Sequence, residues 1–133
     1  MRFLVDENLP RRLKSLLNGI GRFPVDHEFD HLPAGTPDAD LKSLAAQLDL
    51  IVITRDREFI PSDVWSRTYL DNRVSALILT ASLGSVGSTP VRLKDLERWF
   101  RDNWRRIEDV FDDAPRPLVV RAYLDGRLVA DDQ

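Results

Sequence analysis

The sequence predicts an α/β fold, with a mainly parallel sheet between two layers of helices and then a long helix and a β-hairpin. Three observations carry that prediction. "RFLV", "LIVITRD" and "SALILTA" contain short, wholly apolar runs rich in branched residues, the pattern of strands buried on both faces. The segments between them space leucines by three and four, so helix and strand signals alternate. Near the end, Asp125 and Gly126 separate two apolar runs, a hairpin signal. The 133 residues are the length of one domain with a real core.

Taken in order, Arg2 to Val5 form the first strand, which stops at acids. In "NLPRRLKSLLNGIG", Asn8 reads as an N-cap with Pro10 in the first turn. Leu9, Leu13, Leu16 and Leu17 mark the buried face, and Gly19 or Gly21 ends the helix. "FPVDHEFDHLPAGTP" lies between prolines, and its alternating Val25, His27, Phe29 and His31 favour a strand followed by a loop. From Asp38 a second helix places Leu41, Leu44, Ala45 and Leu48 together, and "LIVITRD" follows as a strand. "SALILTA", Ser75 to Ala81, is another buried strand. "SLGSVGST" is a loop whose Thr89, with Pro90, caps a long helix carrying Leu93, Leu96, Phe100, Trp104, Ile107 and Phe111 on one stripe.

Composition narrows the function classes. No apolar run approaches the roughly 20 residues of a membrane span, and "MRFLVDENLP" has acids where a signal peptide needs apolar residues, so a cytoplasmic protein without membrane association is expected. The absence of cysteine excludes disulfides, thiolate zinc sites and thiol nucleophiles. A net charge of −3 argues against a broad basic surface but leaves room for local basic patches.

The candidate chemistry lies in the acids. Asp6 ends the first strand, while Asp56 and then Glu58 follow "IVITR". Ligands of open α/β sheets bind beyond the carboxyl ends of the strands, so these acids point toward one site. Asp38 begins a helix, and spacing alone leaves open whether that helix start reaches the same edge. Carboxylates about 5 Å apart repel by roughly 3 kcal/mol at an effective dielectric near 20, so such a cluster needs a cation. Oxygen-only ligands favour Mg²⁺ or Mn²⁺ over zinc, and such ions among acids serve phosphodiester hydrolysis. Taken singly, each acid also has an ordinary explanation as a strand end, helix cap or loop residue.

"FLVDENLP", followed by "GTPDADLKSLAAQLDLIVITRDREF", resembles the short PIN-like ribonucleases of prokaryotes, relatives of the VapC-like PIN-domain toxins of type II toxin–antitoxin modules. The resemblance spans about Met1 to Ala81. It implies a Rossmann-like α/β/α fold with catalytic acids Asp6, Asp38, Asp56 and Glu58, of which Asp6, Asp38 and Asp56 ligate Mg²⁺ or Mn²⁺. It further implies an RNA substrate and a cognate antitoxin protein. Longer PIN toxins carry another acid on a helix between the first strand and the position of Asp38, and this chain is too short there to hold that helix bundle. The C-terminal extension, residues 90–133, lies outside the matched motifs and reads as an oligomerisation or partner-binding addition, with a homodimer as one outcome. The alternative function is a PIN-like domain that binds RNA or a partner protein without useful catalysis. A receiver domain phosphorylated on Asp6 would need a lysine late in the sheet, and "SALILTA" ends without one.

Arg11, Arg12, Arg55 and Arg57 flank these acids and are candidates for RNA phosphate contacts. Glu7, Asn8 and Thr54 are further neighbours. Lys94, Arg98, Arg101 and Arg105 make a basic stripe, but the pairs Glu97–Arg101 and Asp102–Arg106 read better as a salt-bridged exposed face, and Trp99 as a packing residue. "HEFDH" fits the H-E-x-x-H zinc pattern only if helical. On a strand His27 and His31 stand about 13 Å apart, too far to share a zinc.

Overall fold

The computed structural model describes residues 1–55, 60–80, 85–86, 89–90 and 92–131. Strand β1 (Arg2–Val5) leads to helix α1 (Arg11–Ile20), β2 (Val25–His27) and a 3₁₀ turn (Glu28–Asp30). Helix α2 (Asp38–Leu48), β3 (Leu50–Arg55), α3 (Ser62–Asp71) and β4 (Ala76–Leu79) follow. A short antiparallel pair, β5 (Ser85–Val86) and β6 (Thr89–Pro90), precedes α4 (Leu93–Asp113), β7 (Val119–Ala122) and β8 (Leu128–Asp131). The main sheet has six strands in the order β2-β1-β3-β4-β7-β8, parallel except for the β7–β8 pair.

Side-chain alternation along the strands divides the interior into two cores. Phe3, Val5, Ile51, Ile53, Leu77 and Leu79 face Leu13 and Leu17 of α1 and the stripe of α4. Leu4, Leu50, Val52, Ala76 and Ile78 face Leu41 and Ala45 of α2 and Trp65, Tyr69 and Leu70 of α3. A strand buried on both faces gains about 1.5–3 kcal/mol for each large apolar side chain removed from water, which is why its sequence reads as an unbroken apolar run. This is the expected three-layer α/β architecture.

The C-terminal segment belongs to that architecture. β7 pairs with β4 inside the sheet, and Leu96, Trp99, Phe100, Trp104, Ile107 and Phe111 of α4 enter the first core. The Trp104 and Phe111 rings lie 4.7 and 5.8 Å from Phe3 of the first strand. The stripe of α4 is therefore covered by the chain's own sheet. Trp99 packs in the core and donates its Nε1–H to Tyr123 O at 3.0 Å. A buried carboxylate adds a polar tie: Glu108 Oε2 accepts the Arg22 and Phe23 N–H groups, both at 2.8 Å, fixing α4 to the α1–β2 turn. Gly21 permits that approach, since a Cβ there would stand 2.3 Å from Trp104 Nε1.

Several local expectations change. Helix α1 starts at Arg11 after Pro10, so Asn8 is not its cap. Strand β2 ends at His27, leaving Phe29 and His31 outside it because the chain turns over Glu28–Asp30. Thr89 and Pro90 lie in β6, and Arg92 caps α4. The hairpin loop is wider than two residues: Gly126 N–H donates to Tyr123 O, Tyr123 N–H donates to Arg127 O, and Gly126 takes φ 90°, which suits glycine. On α4, Glu97 pairs with Arg12 of α1 at 3.2 Å, and Arg106 donates to Asn103 within the helix and to the Gly126 carbonyl of the hairpin, in place of the expected i,i+4 pairs.

Candidate active site

The parallel strands β2, β1 and β3 end side by side, with Val5 in register with His27 on one flank and Ile53 on the other. The next residue of each strand defines the edge: Glu28, Asp6 and Thr54. Asp6 is 4% exposed and held from both sides. Its Oδ1 accepts the Asn8 N–H at 2.9 Å, and its Oδ2 accepts the hydroxyl of buried Thr54. Both contacts fix the orientation of the carboxylate.

Glu28 is the acid that sequence reasoning missed. It is 2% exposed, and its Oε1 accepts the Glu7 N–H at 3.0 Å. Burial raises its pKa above the ordinary carboxylate value, and the negative charges of Glu7, Asp6 and Asp38 raise it further, against the opposing Glu7 N–H. Asp38, the first residue of α2, thus lies within the same electrostatic cluster as the end of β1. The charges of the first-strand acid and of the helix-start acid both reach Glu28, which lies in the 3₁₀ turn after β2. That is the stretch where the chain looked too short for another acid. The turn supplies one without a helix bundle.

The other candidates divide by position. Glu7 reaches away from its own N–H: its Oε2 accepts the Gly35 N–H at 2.9 Å, tying the loop before α2 to the end of β1. Asn8 is exposed and contributes its backbone to Asp6. Arg11, at the start of α1, lies 4.9 Å over the Phe29 ring, beside the turn that carries Glu28. Arg12 turns instead toward Glu97 on α4. Arg55 ends β3, and Asp56, Arg57 and Glu58 lie outside the described residues.

Both histidines of "HEFDH" are engaged locally. His31 Nε2 lies 2.9 Å from Asp26 Oδ2, and His27 Nδ1 accepts the Phe29 N–H at 3.1 Å. Burial lowers the His27 pKa, aided by the Arg11 and Lys14 cations and opposed by the Leu9 backbone and Asp30, so the ring is neutral near pH 7 with its proton on Nε2. Neither ring is arranged to share a zinc with the other.

Among the described residues no group of three or more His, Asp or Glu side chains is close enough to hold a metal as it stands. The donor chemistry nonetheless fits a hard divalent ion. Asp6, Glu28 and Asp38 offer only carboxylate oxygen, and Glu28 is a buried acid whose charge its neighbours oppose, a state that a cation relieves. No helix among the described residues is long and apolar enough to cross a membrane.

No curated protein and no solved structure matches the chain. A family model does: the one described as PIN like domain matches residues 1–81, from β1 through β4 and including every acid of this edge. With more than half its length matched, the chain belongs to the PIN-like domain family, whose members are in general nucleases of the hydrolase class.

Proposed function

We propose that the protein is a metal-dependent endoribonuclease that hydrolyses RNA phosphodiester bonds, the toxin component of a cytoplasmic toxin–antitoxin module. The observation that carries this reading is the buried Glu28 gathered with Asp6, Glu7 and Asp38 at the carboxyl edge of the sheet. Asp6 and Asp38, with Glu28 from the turn and Asp56 from the segment after β3, would hold Mg²⁺ or Mn²⁺, and Glu58 would assist. The bound ion supplies Lewis acidity toward the phosphate and lowers the pKa of attacking water. Thr54 and the Asn8 N–H fix the Asp6 carboxylate, Glu7 holds the Gly35 loop that leads into Asp38, and Arg11 offers a cation to an RNA phosphate. A cognate antitoxin protein is the proposed partner, and self-association as a homodimer is a further part of the proposal.

The test is cleavage of a fluorophore-labelled RNA by the purified full chain in Mn²⁺, in chelator, and with Asp6→Asn. Cleavage should need the ion and fall at least 100-fold in the variant, with circular dichroism unchanged. Cleavage that resists the chelator, or that Asp6→Asn leaves intact, would refute the assignment. RNA binding without cleavage in any divalent ion would favour the non-catalytic binding domain instead.

A further inference from the structure

We propose that the capping box of the 3₁₀ turn is the positioning element of the site, with His27 as a positioning residue that sets the Glu28 carboxylate against the end of β1. This deepens the nuclease reading and rests on it for its functional meaning. The box is reciprocal: His27 Nδ1 accepts the Phe29 N–H at 3.1 Å, and Asp30 Oδ2 accepts the His27 N–H at 2.8 Å. Lys14 of α1 anchors the outer corner by donating to the same Asp30 oxygen at 2.7 Å.

The turn has an inner and an outer product. Inward, it swings the Glu28 carboxylate back over β1 to the Glu7 N–H, next to Asp6. Outward, the Phe29 ring packs 4.8 Å from the His27 ring and carries the Arg11 guanidinium 4.9 Å above it. One buried imidazole therefore fixes the turn that carries an acid suited to a divalent ion, and packs against the Phe29 ring beneath Arg11. His27, 2% exposed, contributes an acceptor on one side and a packing surface on the other.

Three variants of the full chain separate these contributions. His27→Phe keeps a ring and removes the acceptor; His27→Asn keeps an acceptor suited to capping; Asp30→Ala opens the other half of the box from the exposed side. Amide hydrogen exchange at Glu7, whose N–H donates to Glu28, reads the positioning directly, and calorimetry with Mn²⁺ alone reads its consequence. In His27→Phe the Glu7 amide should exchange about tenfold faster and Mn²⁺ affinity should fall about tenfold, at the low end for an outer partner of a metal ligand. His27→Asn should restore both to within about threefold, as expected for a strong capping residue, and Asp30→Ala should move both in the direction of His27→Phe. Unchanged Glu7 exchange in folded His27→Phe and Asp30→Ala overturns the proposal. Glu7 protection that responds to the variants as stated, in a wild-type chain that binds no Mn²⁺, supports the positioning and removes the metal-dependent nuclease reading instead.

Discussion

Replacing Glu28 by Gln should stabilise the protein at neutral pH while damaging its site. The substitution keeps the length of the side chain and an Oε1 able to accept the Glu7 N–H, and it removes one buried charge. Like charges about 5–10 Å apart repel by roughly 1.5–3.5 kcal/mol at an effective dielectric near 20, and burial of the charge adds to that cost. The Glu7 N–H offsets about 1.5–3 kcal/mol while the acceptor is charged and about 1 once it is neutral. A net gain of about 1–2 kcal/mol follows, or roughly 3–8 °C in Tm for a chain of this size. The pH dependence fixes the sign. Because the folded-state pKa of Glu28 is raised above its ordinary value of 4.5, the native state binds more protons than the unfolded state between those two values, and wild-type stability falls as pH rises through that window. The advantage of Glu28→Gln should therefore be absent below about pH 4, grow across the window and level off above it. Thermal denaturation of both proteins from pH 3.5 to 8 measures this, and Mn²⁺ titration should show at least tenfold weaker binding by the variant. Equal or lower stability of the variant at pH 7 would show that Glu28 is not held against its own charge.

Two further perturbations test the frame around the acids. Thr54→Val is nearly isosteric and deprives the buried Asp6 carboxylate of a donor; a loss of about 1.5–3 kcal/mol in urea denaturation is expected, with RNA cleavage down about 10–100-fold, as for other partners that orient a ligand. Glu108→Ala leaves the Arg22 and Phe23 N–H groups without their acceptor and should cost about 3–5 kcal/mol in the same assay, while a folded sample keeps its Mn²⁺ affinity.

How far the sequence discloses this protein depends on the range of the forces involved. Buried strands and amphipathic helices announce themselves because the hydrophobic effect acts on every residue of the element: β1, β3 and β4 and the stripe of α4 follow directly from apolar patterning. Helix α3 carried no leucine ladder, and its buried face rests on Trp65, Tyr69 and Leu70. The turn at Glu28–Asp30 was concealed by alternating letters: β1 ends at Val5, opposite His27, and the bond from Phe29 N–H to His27 Nδ1 turns the chain there. Asp38 was more accessible than spacing suggested. A helix crossing between parallel strands runs opposite to them, so its first residue necessarily returns to the edge where the strands end.

Two glutamates, Glu28 and Glu108, are both almost wholly buried, and their surroundings tell them apart. Glu108 faces two backbone N–H donors, with Arg22 Nε 4.0 Å from its other oxygen, so its charge is answered from within the chain. Glu28 has one backbone donor and three acids around it. A carboxylate used only for packing would not be selected into a field of its own sign, since an amide of the same shape would fold at lower cost. In the proposed nuclease, a bound divalent cation would recover the energy that folding forgoes at Glu28. On the proposed reading the glutamate of "HEFDH" carries the functional consequence, and the first histidine caps the turn that holds it.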